Sequence, residues 1–450
     1  MLISLILLDA CEQSYHYSTK QRQERALKTQ EKIVIGISWP LNNPCEATLV
    51  EGAQVAVDIL NAENPKRTIQ LKIADESFNE MASENEVARF RAQQERTFEI
   101  ARAFADDLDV IAVIGHRYSS QAIQASITYE NHGIVFLAPT ATHLSLNHHN
   151  FNYVFRLVPN NEEIGTQMAN YVHQNEYKRV AVLYERTPYA EELAQVFIQN
   201  AQEKFNIVFK RSFFSTETRF TKLLVELVEQ VSSFLDAIFL VTGGKKACQI
   251  IKQAEKVGID KPFVGSDALL SAELEHCSSA AQGTVVPLLI DKDRINSGKF
   301  DHLYEKFKKF AEKRQQNCSN KEKHSEPQSE LQRLYLGYDA VSLLSYIIEE
   351  IETTVPIEIA THLRYTMTPW KAGIIGNYAF QEDGNLKRED SSYFAILCPR
   401  SADEKQCQKL KKENSKCFFT RICEGGKFSK ESVDQLTFTT LYEPFKHPDP

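Results

Sequence analysis

The segment Asp109–Thr142, DVIAVIGHRYSSQAIQASITYENHGIVFLAPTAT, decides the fold. Asp109–Gly115 is a short aliphatic run, which predicts a strand buried on both faces. A turn of small polar residues follows, then helical patterning over Ser120–Asn131 and a second buried strand, Gly133–Ala138. That strand ends in Pro139-Thr140-Ala141-Thr142. Strand, helix and strand in this order predict a βαβ unit whose strands are parallel neighbours. Both polar turns then fall at the carboxyl ends of the strands, where open α/β sheets hold their ligands. Hydroxyls and free backbone N–H groups collect there, with no nucleophile, base or metal ligand set beside them. This chemistry suits holding a small polar molecule better than transforming one.

The alternation continues in both directions. Ile33–Ile37 and Gln70–Asp75 read as strands, with a helix in LVEGAQVAVDILNAEN and a longer helical stretch from about Glu84 to Asp107. Further strands are expected at 180–185, 206–214, 236–242 and 262–266, each separated by amphipathic helical patterning. Gly376–Phe380 and Tyr393–Leu397 read as two strands around the turn Glu382-Asp383-Gly384-Asn385. Roughly a dozen strands exceed one comfortable open sheet, so the expected class is α/β with two doubly wound parallel-sheet lobes joined by a multi-strand hinge. The predicted division is 32–156 plus 285–368 for the first lobe and 157–284 plus 369–398 for the second. Residues 1–31 precede them as a terminus and tether, and a Cys-containing extension, 399–450, follows.

The 450 residues and ordinary hydrophobic content of 42% allow sizeable cores. A formal charge of −8 argues against nucleic acid as the partner. No apolar run approaches the ~18 residues needed to span a bilayer. The amino terminus is the exception to this ordinary picture. MLISLILLDAC is an apolar burst ending at Cys11, and Leu8-Asp9-Ala10-Cys11 resembles a bacterial lipoprotein signal. It carries no basic leading region, and Asp9 is an unusual occupant. Lipid on Cys11 would anchor the protein, with the polar stretch to Lys32 as a flexible tether. The bland alternative is a frayed apolar end.

Beyond Cys11, eight of the nine cysteines remain, and Cys398, Cys407, Cys417 and Cys423 crowd the tail. Their spacings do not form zinc knuckles, so disulfides are favoured over metal. Cys248, on the apolar face of a predicted helix, reads as a plain buried thiol.

Eight blocks in order carry a family resemblance: EGAQVAVDILNAEN, VIGHRYSSQAIQAS, GIVFLAPTATHLSL, VFRLVPNNEEIG, RVAVLYERTPYAEELA, PFVGSDAL, GYDAVSLL and GNYAFQEDGN. Together, over about residues 32–397, they resemble the type I periplasmic solute-binding proteins, in the branched-chain-amino-acid branch serving ABC importers. The resemblance implies a binding protein with no cofactor and no catalytic residue. It also implies an extracytoplasmic location, an ABC permease as partner, and an amino acid bound between lobes that close on a hinge. Tyr118, Ser119, Thr140, Ala141 and Thr142 match the positions that grip the ligand carboxylate. Tyr189 matches an aromatic that helps close the site, and Asp267 an acidic residue facing the ammonium. Trp39 would supply an apolar wall. The family also uses this fold as a ligand-sensing receptor or regulator domain, which would take an amide or urea-like compound.

Each of these residues has a structural alternative. Ser119, Ser120, Thr142 and Asp267 can also be read as helix caps, and Trp39 as loop packing. His143, His148 and His149 lack acidic or Cys partners at ligand spacing and read as surface histidines. No phosphate loop, G-x-G-x-x-G after the first strand, G-x-S-x-G or H-E-x-x-H is present.

Overall fold

The computed structural model describes residues 18–42, 47–77, 86–275, 277, 279–288, 300, 302–303, 306–307, 309–310, 328–387, 391–399, 418–420 and 436–444. The chain divides into two compact units. The first comprises Met1–Asn160, Gly298–His324 and Arg333–Arg388; the second holds Asn161–Ser297, Ser325–Gln332 and Glu389–Pro450.

The first unit is built on β1 (Lys32–Trp39), β2 (Thr68–Asp75), β3 (Val110–Ile114), β4 (Val135–Ala138) and β5 (Val154–Arg156). They form one sheet in the order β2-β1-β3-β4-β5, every pair parallel. Residues 18–28 form helix α1, followed in this unit by α2 (Thr48–Glu63), α3 (Glu86–Asp106) and α4 (Ser119–Asn131). The aliphatic runs of β3 and β4 are buried at every position, as a sheet covered on both faces requires. Two glycines let α2 meet the long helix Gln328–Glu350 backbone to backbone. A Cβ at Gly52 would lie 1.8 Å from the Leu334 carbonyl oxygen, and one at Gly337 would lie 2.0 Å from that of Leu49. Such close approach admits only glycine.

The second unit carries a sheet of order β12-β13-β11-β10-β9-β8-β6-β7. Its parallel part consists of β6 (Arg179–Glu185), β7 (Asn206–Phe213), β8 (Ala237–Val241), β9 (Phe263–Gly265) and β10 (Val285–Leu288). Between them run α5 (Asn161–Gln174), α6 (Pro188–Ala201), α7 (Thr221–Val231), α8 (Gly244–Lys256) and the short α9 (Ala272–Glu275). Ile164, Met168, Phe197 and Phe239 pack in one core of this unit, and Leu183, Leu224, Leu240 and Ile251 in another.

Four expectations change. The polar stretch before Lys32 is not a free tether from Ser18 onward, because residues 18–28 are helix α1. Arg22, buried in the first unit, donates to the carbonyls of Ala105 (2.5 Å), Asp107 and Val110 (2.6 Å each) and His132 (2.9 Å). Burial pushes its guanidinium down to about 10, with nearby Asp106 acting in the opposite direction. Cys248 is not a plain thiol either: it is disulfide-bonded to Cys277, their Cα atoms 5.6 Å apart.

The strand partners near the carboxyl end also differ. Gly376–Phe380 does not pair with Tyr393–Leu397. Tyr378 bridges Trp370 and Phe380 bridges Leu386 inside the first unit, where the buried Asp339 carboxylate accepts from the N–H groups of Ile374 and Ile375. These bonds hold Trp370–Leu386 in the first unit. β11 (Ser391–Pro399) instead runs antiparallel to β10, which keeps Val285–Leu288 in the second sheet. The extension adds β12 (Phe418–Thr420) and β13 (Leu436–Pro444), and β13 pairs with β11 along its length. Cys11, Cys45, Cys318, Cys407, Cys417 and Cys423 lie outside the described residues.

Candidate functional site

The candidate residues fall in two sets, one in each unit. In the first unit the turn after β3 delivers Tyr118 and Ser119 to the amino end of α4. Tyr118, in extended conformation, occupies the cap position, its side chain not capping the helix, and Ser119 begins the helix. The serine therefore does not cap its own helix. Its Oγ accepts from the N–H groups of Thr142 (3.3 Å) and His143 (3.4 Å), which joins the two polar turns. Thr140 Oγ1 donates to the Arg117 carbonyl at 2.8 Å and lies 3.3 Å from that of His116. The Thr142 hydroxyl is buried and meets no hydrogen-bond partner among the described residues. His143, not Thr142, caps the following 3₁₀ turn, accepting from Ser145 N–H through Nδ1. A helix start, hydroxyls and an unsatisfied buried Thr142 Oγ1 are the kinds of group that can receive an anion.

Behind these turns lies a buried polar network. The Glu76 carboxylate accepts from Ser38 Oγ (2.9 Å) and Arg117 N–H (2.8 Å), and its Oε2 lies 2.7 Å from His116 Nδ1. His116 Nε2 in turn lies 3.0 Å from the Tyr129 hydroxyl. The network fixes the His116–Arg117 backbone to which Thr140 is bonded. Trp39 ends β1 fully buried, its carbonyl accepting from Glu76 N–H at 3.2 Å. Ala141 is also fully buried.

In the second unit Thr187 caps α6, accepting from Ala190 N–H, and Pro188 starts the helix with its missing N–H where no bond is needed. This places Tyr189 in the first turn. Its hydroxyl donates to Asp267 Oδ1 at 2.6 Å. The Asn161 amide reaches the Tyr189 carbonyl (3.3 Å) and Glu192 Oε2 (2.8 Å), fixing the segment. Asp267 starts a short 3₁₀ helix that Ser266 precedes, and Ser271 Oγ accepts from Leu274 N–H at α9, so the capping work falls to neighbours. Burial pushes the Asp267 carboxyl above the usual carboxylate range, against the hydrogen bond from Tyr189. Burial and then the Asp267 charge push Tyr189 well above the ordinary phenol value. Among the described residues no cation pairs with Asp267.

Two doubly wound units, with polar turns at the carboxyl ends of their strands, are the architecture of the type I periplasmic binding proteins. The chain belongs to the family described as the receptor family ligand binding region, whose model matches residues 49–392. It is 26% identical over 283 residues to the leucine-specific-binding protein of Salmonella typhimurium, spanning 61% of this chain and 69% of that one. It is 28% identical over 193 residues to the Leu/Ile/Val-binding protein of Citrobacter freundii, about half of that protein's length. Among solved structures, an ABC transporter substrate-binding protein from Desulfitobacterium hafniense in complex with Leu superposes with a TM-score of 0.63 at 26% identity. That match covers 81% of this chain and 97% of the other. These relatives are named as binding proteins, not enzymes.

Sequence reasoning passed over the residues that hold the site in place. Arg156, in the apolar stretch YVFRLV, donates to the carbonyls of Ala141 (2.7 Å) and His143 (2.8 Å). Its signal was available: a charge inside a buried strand must find partners. Glu76 and His116, each directly after a strand, carried the same signal. Asn161 gave none, since its role depends on Glu192 and Tyr189 approaching it in space.

Proposed function

We propose that this chain is the extracytoplasmic solute-binding component of an ABC importer and that its ligand is a zwitterionic amino acid of the leucine type. One observation carries the reading. The first unit gathers the hydroxyls of Ser119, Thr140 and Thr142 at the amino end of α4, that of Thr142 without a partner, and the second carries a carboxylate, Asp267, that no described cation neutralises. An α-amino acid has the complementary pair of charges. Tyr118, Ala141, Trp39 and Tyr189 complete the binding set in this reading. The relatives named for leucine and for Leu/Ile/Val support the choice of ligand. Export would place the disulfide Cys248–Cys277 in an oxidising compartment, and lipid on Cys11 would hold the protein at the membrane beside its permease.

Calorimetry on the purified protein tests the ligand class. L-Leucine is expected to bind at micromolar concentration or tighter, with L-leucinamide and isopentylamine much weaker because each lacks the carboxylate. Binding of urea or a simple amide with no response to any amino acid would overturn the assignment. For the anchor, radiolabelled palmitate is expected in the full chain and absent from Cys11→Ser; equal labelling of both would refute it.

A further inference from the structure

We infer that Arg156 is the positioning residue of the anion-receiving turn, and that the turn Glu382–Asn385 is the brace that holds Arg156 for this task. The inference rests on the reading of Ser119 and Thr140–Thr142 as the carboxylate receptor, and adds how that receptor is aimed.

Arg156 ends β5 with its side chain fully buried. Nη1 donates to the Ala141 carbonyl at 2.7 Å, and Nη2 to the His143 carbonyl at 2.8 Å and Asn147 Oδ1 at 3.1 Å. The two carbonyls flank Thr142. In a trans peptide the C=O and the following N–H point in opposite directions. Turning the Ala141 carbonyl toward the guanidinium therefore turns the Thr142 N–H away from it, and that N–H meets Ser119 Oγ at 3.3 Å. The planar fork sets both peptide planes at once, a geometry the single ammonium of a lysine cannot reproduce.

On the other side of the guanidinium, Nε donates to Asn385 Oδ1 at 3.0 Å. Asn385 is itself held through its N–H on Asp383 Oδ1 (2.9 Å) and its amide on Asp383 Oδ2 (2.7 Å). The Asp383 carbonyl accepts from the Asn147 amide at 2.9 Å, and the Gly384 carbonyl accepts from Arg156 N–H at 3.0 Å. Gly384 has φ +82°, and a Cβ there would lie 2.2 Å from the Val154 carbonyl oxygen. The turn EDGN thus lies so close against the β5 backbone that glycine is required at its tip. Arg156 and Asn385 both stand shortly before the places, Asn160 and Arg388, where the chain leaves the first unit. The clamp ties both departing segments to the receptor turn.

The test uses Asn385→Ala, a milder change than loss of the buried arginine, with Arg156→Lys beside it. Leucine affinity is measured for Asn385→Ala in three backgrounds: wild type, Thr142→Val and Asp267→Asn. A positioning role predicts a loss of about tenfold in wild type and in Asp267→Asn, the size expected for one charge-assisted hydrogen bond. In Thr142→Val the loss should shrink below about threefold, because coupled residues are not additive. Arg156→Lys should lose at least as much affinity as Asn385→Ala, because an ammonium cannot hold both carbonyls; wild-type affinity in Arg156→Lys overturns the positioning role. The same loss in all three backgrounds, or no loss, overturns the proposal. Hydrogen exchange without ligand gives a second arm. Asn385→Ala should speed exchange in 140–147 while leaving Met168–Val172 unchanged, and unchanged or uniformly faster exchange overturns the brace. If wild type binds no leucine, the ligand assignment falls, and the exchange arm still decides the brace.

Discussion

Replacing Asp267 by asparagine keeps the shape of the side chain and removes its charge, which isolates its contribution to binding. An ammonium ~3 Å from a carboxylate interacts by about 5 kcal/mol at an effective dielectric of ~20. Part of this is offset by drying both groups. Leucine binding to Asp267→Asn should therefore weaken by about 2–5 kcal/mol, roughly 30- to 5,000-fold. Ligand-free stability should move the other way. Burial raises the Asp267 carboxyl, so above the ordinary value of ~3.9 the folded state binds more protons than the unfolded state. Stability from this group consequently falls as pH rises through that window, and the penalty persists at neutral pH. Asparagine abolishes it. The ligand-free variant should melt at or above the wild-type temperature at pH 7, with the difference closing near pH 4. Calorimetric titration with leucine and melting curves at both pH values give the two readings. Unchanged leucine affinity together with a lower melting temperature at pH 7 would show Asp267 to be a structural carboxylate and refute the reasoning.

Other consequences follow from the same geometry. Arg22→Ala leaves buried carbonyls at Ala105, Asp107, Val110 and His132 without their donor, and should cost about 3 kcal/mol in denaturant unfolding. Reducing Cys248–Cys277 opens a loop of 29 residues and should cost about 3–4 kcal/mol, seen by comparing unfolding of Cys248→Ser plus Cys277→Ser with the oxidised protein. Thr187→Ala removes the α6 cap and should lower stability by about 1 kcal/mol, with a measurable rise in leucine Kd if the helix start positions Tyr189. Asp236 feels burial, but the Arg179 side chain and the N–H groups of Arg179 and Lys178 outweigh it and hold its carboxyl below the usual range. It contributes stability present above pH ~3.9 and lost as the pH falls through its folded value; Asp236→Asn should flatten that part of the acid unfolding curve.

How much was legible from sequence follows from the range of each interaction. The parallel strands were legible because burial on both faces writes itself as continuous aliphatic runs, as at Val110–Ile114 and Ala237–Val241. The two polar turns were legible because strand ends locate them without any contact being known. The Cys248–Cys277 bond was not, since pairing depends on a Cα separation of 5.6 Å that spacing does not encode. Helix α1 was missed because its anchor is a set of backbone carbonyls, invisible in residue types. The partners of Ser391–Pro399 were missed because sequence neighbours invited a hairpin, whereas β10 and β13 flank it. Thr142 was picked out from sequence as a carboxylate contact or a helix cap; that its hydroxyl meets no partner among the described residues emerged only when Ser119 was seen to take its amide.

Helix α1 sets the point at which the chain's upstream segment joins the first unit. Arg22, the Arg25–Asp109 ion pair and the Thr19 hydroxyl on the Asn131 carbonyl stitch residues from Ser18 onward to the first unit. From Cys11 to Ser18 the chain can extend at most about 25 Å, at ~3.5 Å per residue. A lipid on Cys11 would then act as a short leash, holding Ser18 and the helix it begins within that distance of the bilayer.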